Sequence, residues 1–175
     1  MTACVAPQGE AVKQYREMYA DISECGQFRY ALTRSWGAGP RFIVVGLNPS
    51  TADGMKDDPT IRRCVGFARR EGYGSLVMLN LFAFRATKPS EMFAAIDPIG
   101  PRNAVAWTRW GATECMVIAA WGAQKHPLMA QQVSRLSEAF DDNLACLGVT
   151  KSGAPRHPLY LPLDAPIIAW PVKEF

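Results

Sequence analysis

The chain has 175 residues, 49% hydrophobic and 20% charged, with a formal net charge of +3. That is one domain's worth of chain (1–175) with enough apolar content to bury a core, which excludes intrinsic disorder. The longest apolar runs, such as 42–47 and 116–122, fall far short of the roughly 18–20 residues a bilayer span needs, so no membrane partner is expected.

Taken in chain order, residues 9–23 place Val12, Tyr15, Tyr19 and Ile22 at helical spacing, which predicts an amphipathic N-terminal helix. Residues 28–34 alternate, with Phe28, Tyr30 and Leu32 on one side and Arg29, Ala31 and Thr33 on the other. That pattern predicts a half-exposed strand, antiparallel or at a sheet edge. From residue 41 the rhythm changes: 41–47, 75–82 and 115–121 are short, nearly continuous apolar runs, as in strands covered on both faces. Between them lie helix signals. Asp58 is an N-cap candidate with Pro59 at the first helical position, Ile61, Val65 and Ala68 form a stripe, and Gly72 stands where the helix would stop. Pro101 and Pro127 open two further helices, the second with Met129, Val133, Leu136 and Phe140 along one face. A fourth short strand falls near Leu144–Gly148 and another near Ile167–Trp170. Strands alternating with helices predict a three-layer α/β/α fold around a mostly parallel four-stranded sheet, with the N-terminal helix and the edge strand added to it.

Several function classes gain little. A charge of +3 does not argue for nucleic acid as a strongly basic domain would. No basic start leads into an apolar stretch as in a signal peptide, so a cytoplasmic location is expected. Cys4, Cys25, Cys64, Cys115 and Cys146 show no C-x-x-C pair, which predicts reduced, mostly buried thiols. His126 and His157 are too few for a His-rich metal site, and His126, at a helix start, reads as a cap or surface residue. Asp53, Asp57 and Asp58 would suit a magnesium site, but a cap and solvated carboxylates explain them more simply; no metal and no cofactor is expected. Trp107 and Trp110, three apart on a helix, read as packing residues before they read as a protein interface.

The chemistry-bearing motifs all follow strands. After the first parallel strand comes Gly46-Leu47-Asn48-Pro49-Ser50; the second carries Asn80 and then Phe82, Phe84 and Arg85. The third ends in Trp121-Gly122, and after the fourth comes Pro155-Arg156-His157-Pro158-Leu159-Tyr160. Parallel strands bring such segments to one carboxyl rim, where open α/β sheets bind ligands. Asn48 is either a turn residue bonding its own backbone or a ligand group, and its neighbours favour the second. Asn80, an amide inside an apolar run, must satisfy its donors and acceptor. A neighbouring loop or a planar base edge would do so. A neutral His157 in a rigid loop could donate to developing negative charge. On the helix after Asp58, Arg62/Arg69 and Arg63/Arg70 form basic rows: a solvated face, or alternatively phosphate contacts.

The segments Arg29-Tyr30-Ala31-Leu32, 46–53 (GLNPSTAD), 57–64 (DDPTIRRC), 80–89 (NLFAFRATKP), Trp121-Gly122 and 153–161 (GAPRHPLYL) closely resemble the family called domain of unknown function 1643, from about Phe28 to Leu161. That family name carries no activity. In motif order the chain also looks like the uracil-DNA glycosylase superfamily. The superfamily's Gly-x-(Asp/Asn)-Pro turn, base-reading Asn, Trp-Gly strand end and His-Pro loop correspond here to Gly46-Leu47-Asn48-Pro49, Asn80, Trp121-Gly122 and His157-Pro158. This second resemblance implies a nucleobase pocket at the carboxyl edge of a four-stranded parallel sheet. Asn48 and His157 would be catalytic, positioning water and stabilising the departing base. Asn80 would read that base, with Gly46, Ser50, Phe82, Phe84 and Arg85 around it. Arg62, Arg63 and Arg156 would meet phosphates, and Leu159 or Tyr160 would wedge an extruded nucleotide. The first motif has Asn48 where the most active branch has Asp, and the His-Pro loop continues Leu-Tyr-Leu. Two functions are therefore expected to compete for one nucleobase-containing ligand, in DNA or as a free nucleotide: hydrolysis of an N-glycosidic bond, or nucleotide binding without catalysis.

Overall fold

The computed structural model describes residues 15–111, 116–141 and 143–170. Seven strands form one sheet: β1 (Glu17–Ile22), β2 (Arg29–Ser35), β3 (Arg41–Gly46), β4 (Ser75–Asn80), β5 (Val117–Ala119), β6 (Leu144–Cys146) and β7 (Ile168–Ala169). Their order is β1-β2-β4-β3-β5-β6-β7. The four central strands, β4-β3-β5-β6, are parallel, as their apolar runs predict. They are the middle of a seven-stranded sheet and not the whole of a four-stranded one, because β1, β2 and β7 add antiparallel pairs at the flanks.

Four helices cover it: α1 (Pro59–Arg70), α2 (Pro89–Phe93), α3 (Asn103–Gly111) and α4 (Pro127–Ala139). Alternate residues of each central strand face opposite layers. Phe42, Val44, Met78 and Ile118 pack with Ile61, Cys64 and Phe67 of α1. Ile43, Val45, Leu79 and Ala119 pack with Trp107 of α3 and Val133 and Leu136 of α4. The result is the expected three-layer arrangement. Asp58 caps α1 through a bond from the Ile61 amide to Oδ1 (2.8 Å), and Pro127 is the first residue of α4. Pro101 lies in a turn two residues ahead of α3, and α2 was not anticipated.

Two expectations are corrected. The predicted N-terminal helix fails over its described part, since residues 17–22 are strand β1; Val12 lies outside the described residues. β2 offers an unpaired row of backbone groups, and pairing with it outweighs the helical spacing of Tyr15, Tyr19 and Ile22. β2 itself is neither half-exposed nor at the edge. It lies between β1 and β4 with Arg29, Tyr30, Ala31, Leu32 and Arg34 all buried, so its arginines serve the interior.

Of the cysteines, Cys64 and Cys146 are buried and free while Cys25 is exposed and free; Cys4 and Cys115 lie outside the described residues. Among the described residues no helix is long and apolar enough to cross a membrane.

Candidate functional site

The topology makes a crevice before any side chain is considered. β3 leads through α1, on one face, to β4 on one side. β5 leads through α4, on the other face, to β6 on the other side. The loops leaving β3 and β5 thus part in opposite directions, and ligands of open α/β sheets bind where strand order reverses in this way. A cavity of about 520 Å³ opens there. The segments after β3, β4, β5 and β6 all contribute to its wall, together with the start of α1.

The rim loops are tied to one another by backbone bonds that continue the sheet past its strands: Leu81 N to Gly46 O (2.9 Å), Phe82 N to Leu47 O (3.0 Å) and Ala86 N to Pro49 O (3.0 Å). Asn48 joins this lacing. Its Nδ2 donates to Pro49 O (3.0 Å) and Ala86 O (2.8 Å), which leaves Oδ1 as the amide atom available to a ligand. His157 precedes a 3₁₀ turn (Pro158–Tyr160) and caps it, Nδ1 accepting from the Leu159 amide at 3.3 Å. An accepting Nδ1 puts the ring proton of the neutral imidazole on Nε2. Burial pushes the His157 pKa below its ordinary value, with Asp58 opposing weakly, so the ring is a neutral donor at pH 7.

Gly46, Asn48, Ser50, Arg156, His157 and Tyr160 all line this one cavity, as do Trp121 and Gly122. Tyr160 is 77% exposed at its lip, its ring 5.6 Å from that of His157. Other expected site residues are elsewhere. Phe82 is fully buried edge-on to Phe93, and Phe84 packs edge-on to Phe28. Arg85 donates to Gly26 O, Leu159 is half-buried behind the lip, and Arg62 donates to Asp57 O (2.8 Å) at the surface. Arg63 is half-buried on α1 outside the lining.

Asn80 is a special case. Its backbone oxygen anchors α3, accepting from Asn103 Nδ2 (3.1 Å) and Trp107 Nε1 (3.0 Å). Its side-chain amide is fully buried with neither Nδ2 nor Oδ1 bonded. It lies outside the cavity lining, directly behind Gly46, where a Cβ would sit 3.1 Å from Asn80 Oδ1 and 2.6 Å from Met78 Cε. Only glycine at 46 lets the cavity floor come this close to that amide.

The acidic triplet is committed to structure. Asp57 pairs with buried Arg34 (2.7 Å) and accepts from the Tyr15 hydroxyl; Asp58 caps α1; Asp53 accepts from the Met55 and Lys56 amides. His126 caps α4 and stacks on Phe93. Among the described residues no three His, Cys, Asp or Glu side chains gather as a metal-holding group.

Sequence reasoning missed Arg29. It is 2% exposed at the start of β2, which, running against β4, begins at the carboxyl rim; its side chain lines the cavity. The available signal was an arginine opening a strand whose neighbours are otherwise apolar, and treating that strand as an edge discarded it.

Fold and site together define a three-layer α/β protein with a cavity at the carboxyl rim of its sheet. The chain belongs to the DUF1643 family, described as a protein of unknown function, whose profile matches residues 29–159. No curated protein and no solved structure matches the chain.

Proposed function

We propose that the rim cavity holds a nucleobase-containing ligand, in DNA or as a free nucleotide, and hydrolyses its N-glycosidic bond. The observation that carries this reading is a neutral imidazole donor and an uncommitted amide oxygen, His157 and Asn48, lining the same cavity. In this reaction water adds to the anomeric carbon, the carbon–nitrogen bond breaks, and its electron pair leaves with the base. Asn48 Oδ1 accepts a hydrogen bond from the incoming water and orients it. His157 Nε2–H donates to the base as negative charge builds, and the water's proton ends on the departed base. A fixed donor at the leaving group matters more here than a strong nucleophile. Asn80, with one donor and one acceptor side unbonded behind Gly46, is the group to match a base edge. Tyr160 at the lip is the side chain to support an extruded nucleotide, with Arg156 beside it for a phosphate. The similarity in motif order to the uracil-DNA glycosylase superfamily, with its four-stranded parallel sheet, supports the same reading.

The test is base release. The full chain is incubated with single-stranded and mismatched DNA carrying uracil or modified bases, and with free nucleotides, and free base is measured by chromatography. The wild type is expected to release base from at least one substrate. Asn48→Ala and His157→Ala, checked as folded by circular dichroism, should each lose about 100-fold or more. No free base across the panel at high protein concentration overturns hydrolysis.

One observation favours a second reading, nucleotide binding without catalysis. Asp58 is the one carboxylate in the lining and caps α1, while Asn48 Nδ2 is spent on two backbone carbonyls. Among the described residues of the lining no carboxylate stands uncommitted to take a proton from water. Ligand-induced thermal shift without base release is the outcome that selects this reading.

A further inference from the structure

Two arginines of β2 are buried to the same degree and treated in opposite ways. Arg34 is saturated: Nε pairs with Asp57 (2.7 Å), Nη1 bonds Thr33 O (2.9 Å), and Nη2 bonds Asp53 O (2.6 Å) and Lys56 O (3.3 Å). Arg29 has a single hydrogen-bond partner among the described residues, Ala52 O, at 2.9 Å from Nη1. Its Nε is buried with none, and among the described residues no carboxylate lies within ion-pair distance. Burial lowers its pKa to about 10, with Asp58 and Asp53 opposing from beyond ion-pair distance, which still leaves a positive charge at neutral pH. Enclosing a cation without a carboxylate in contact is expensive, and the folded chain keeps this one in the wall of the rim cavity. Around the same cavity stand the Ser50 and Thr60 hydroxyls, the Arg156 guanidinium and the first turn of α1, whose dipole favours negative charge and whose cap, Asp58, is the carboxylate of the lining.

We propose that Arg29 anchors an anion subsite in the rim cavity and that the ligand is a free nucleotide with a terminal phosphate. The anion subsite stands independently; the nucleobase half of the ligand rests on the function proposed above. A phosphate monoester presents three oxygens at the end of a molecule and can enter a cavity end-on to meet a guanidinium that is 2% exposed. A phosphodiester inside a strand continues in both directions, and proteins meet it with exposed basic groups along a surface. The cavity volume, about 520 Å³, lies within the roughly 300–1,000 Å³ of small-molecule sites.

The experiment is a thermal-shift and calorimetric series on the full chain. Its probes are inorganic phosphate, ribose 5-phosphate, nucleosides, their 5′-monophosphates, and a single-stranded oligonucleotide lacking terminal phosphates. Monophosphates are expected to bind at least tenfold tighter than the matching nucleosides. Nucleosides binding equally well overturn the anion subsite and leave the base pocket standing. Ribose 5-phosphate binding as tightly as every nucleotide keeps the subsite and overturns the nucleobase reading. An oligonucleotide binding tighter than the monophosphates overturns the free-nucleotide assignment. Arg29→Met adds a second arm. Removing an unpaired buried charge should leave the melting temperature of the ligand-free protein unchanged or higher while abolishing the monophosphate shift. A retained shift overturns the assignment, and if the variant does not fold, the wild-type series alone decides.

Discussion

At the scale of single residues, His157 links the site to stability. Burial holds its folded pKa below the ordinary histidine value, which is about 6.5 in an unfolded chain. Above that pH both states are neutral and the residue contributes no pH dependence. As pH falls below it, the unfolded chain takes up a proton that the folded chain resists until its own lower pKa is reached. Stability therefore falls with pH across that window, by at most about 1.4 kcal/mol per pH unit. His157→Asn keeps an N-capping acceptor but removes the titration, so its urea midpoint should vary less between pH 7 and pH 5 than the wild type's. An unchanged slope would assign the acid sensitivity elsewhere. This residue was legible because a histidine in a Gly- and Pro-rich loop stands out by type. Arg29 was not, since alternation assigns a charged residue to solvent and its apolar neighbours are the one local sign that it is enclosed. Asn80 was half legible: its oddity in an apolar run is plain, while its place behind Gly46 exists only once β3 and β4 pair.

At the scale of elements, the start of α1 shows what local signals reach and what they miss. Asp58, Pro59 and Gly72 mark the helix without tertiary knowledge, and the observed cap and the positive φ of Gly72 (77°) follow. The loop before it is fixed from afar. Arg34, in β2, binds Asp57 and the carbonyls of Asp53 and Lys56, and Tyr15 closes the pair from the other side. Burial and the bond to Asp57 raise the Tyr15 pKa, so its hydroxyl stays a donor. No spacing rule predicts a strap between residues 34 and 57, nor the pairing with β2 that makes 17–22 a strand in place of a helix. Tyr15 turns inward to Asp57 and the chain runs on as β1, leaving Tyr19 half exposed. Asp57→Ala would leave the Arg34 guanidinium buried without its carboxylate. The loss should be about 3–5 kcal/mol by urea unfolding, well above the ~1 kcal/mol expected for removing the Asp58 cap alone. Equal losses for the two variants would show that the strap is weak.

At the scale of the whole molecule, the apolar runs are the most readable feature, because burial on both faces writes itself into consecutive residues. They announce β3, β4 and β5 as parallel strands and the rim on which their loops meet, while the order in which the strands pair is written in no single run. They are silent about β1, whose residues alternate weakly, and about α2, a five-residue helix too short to show a period. The consequence is a graded molecule. Ile43, Val45 and Leu79 sit in strands covered by helices on both sides, whereas β7 is two exposed residues at the sheet edge. Backbone amides of β3 and β4 should exchange with solvent only through global unfolding, and those of β7 through local opening. A ligand at the carboxyl rim adds a second pattern to this gradient. Saturating nucleoside 5′-monophosphate should slow exchange in peptides covering 46–50, 86–89, 121–124 and 156–160, four of the segments that wall the cavity. β7 should show no comparable local slowing beyond any rise in global stability. Those four segments come from separate parts of the chain and the cavity is what all four have in common, so protection of all four reports occupancy of one site. Protection confined to the α1 surface bearing Arg62 and Arg63 would place the nucleotide on the helix face instead.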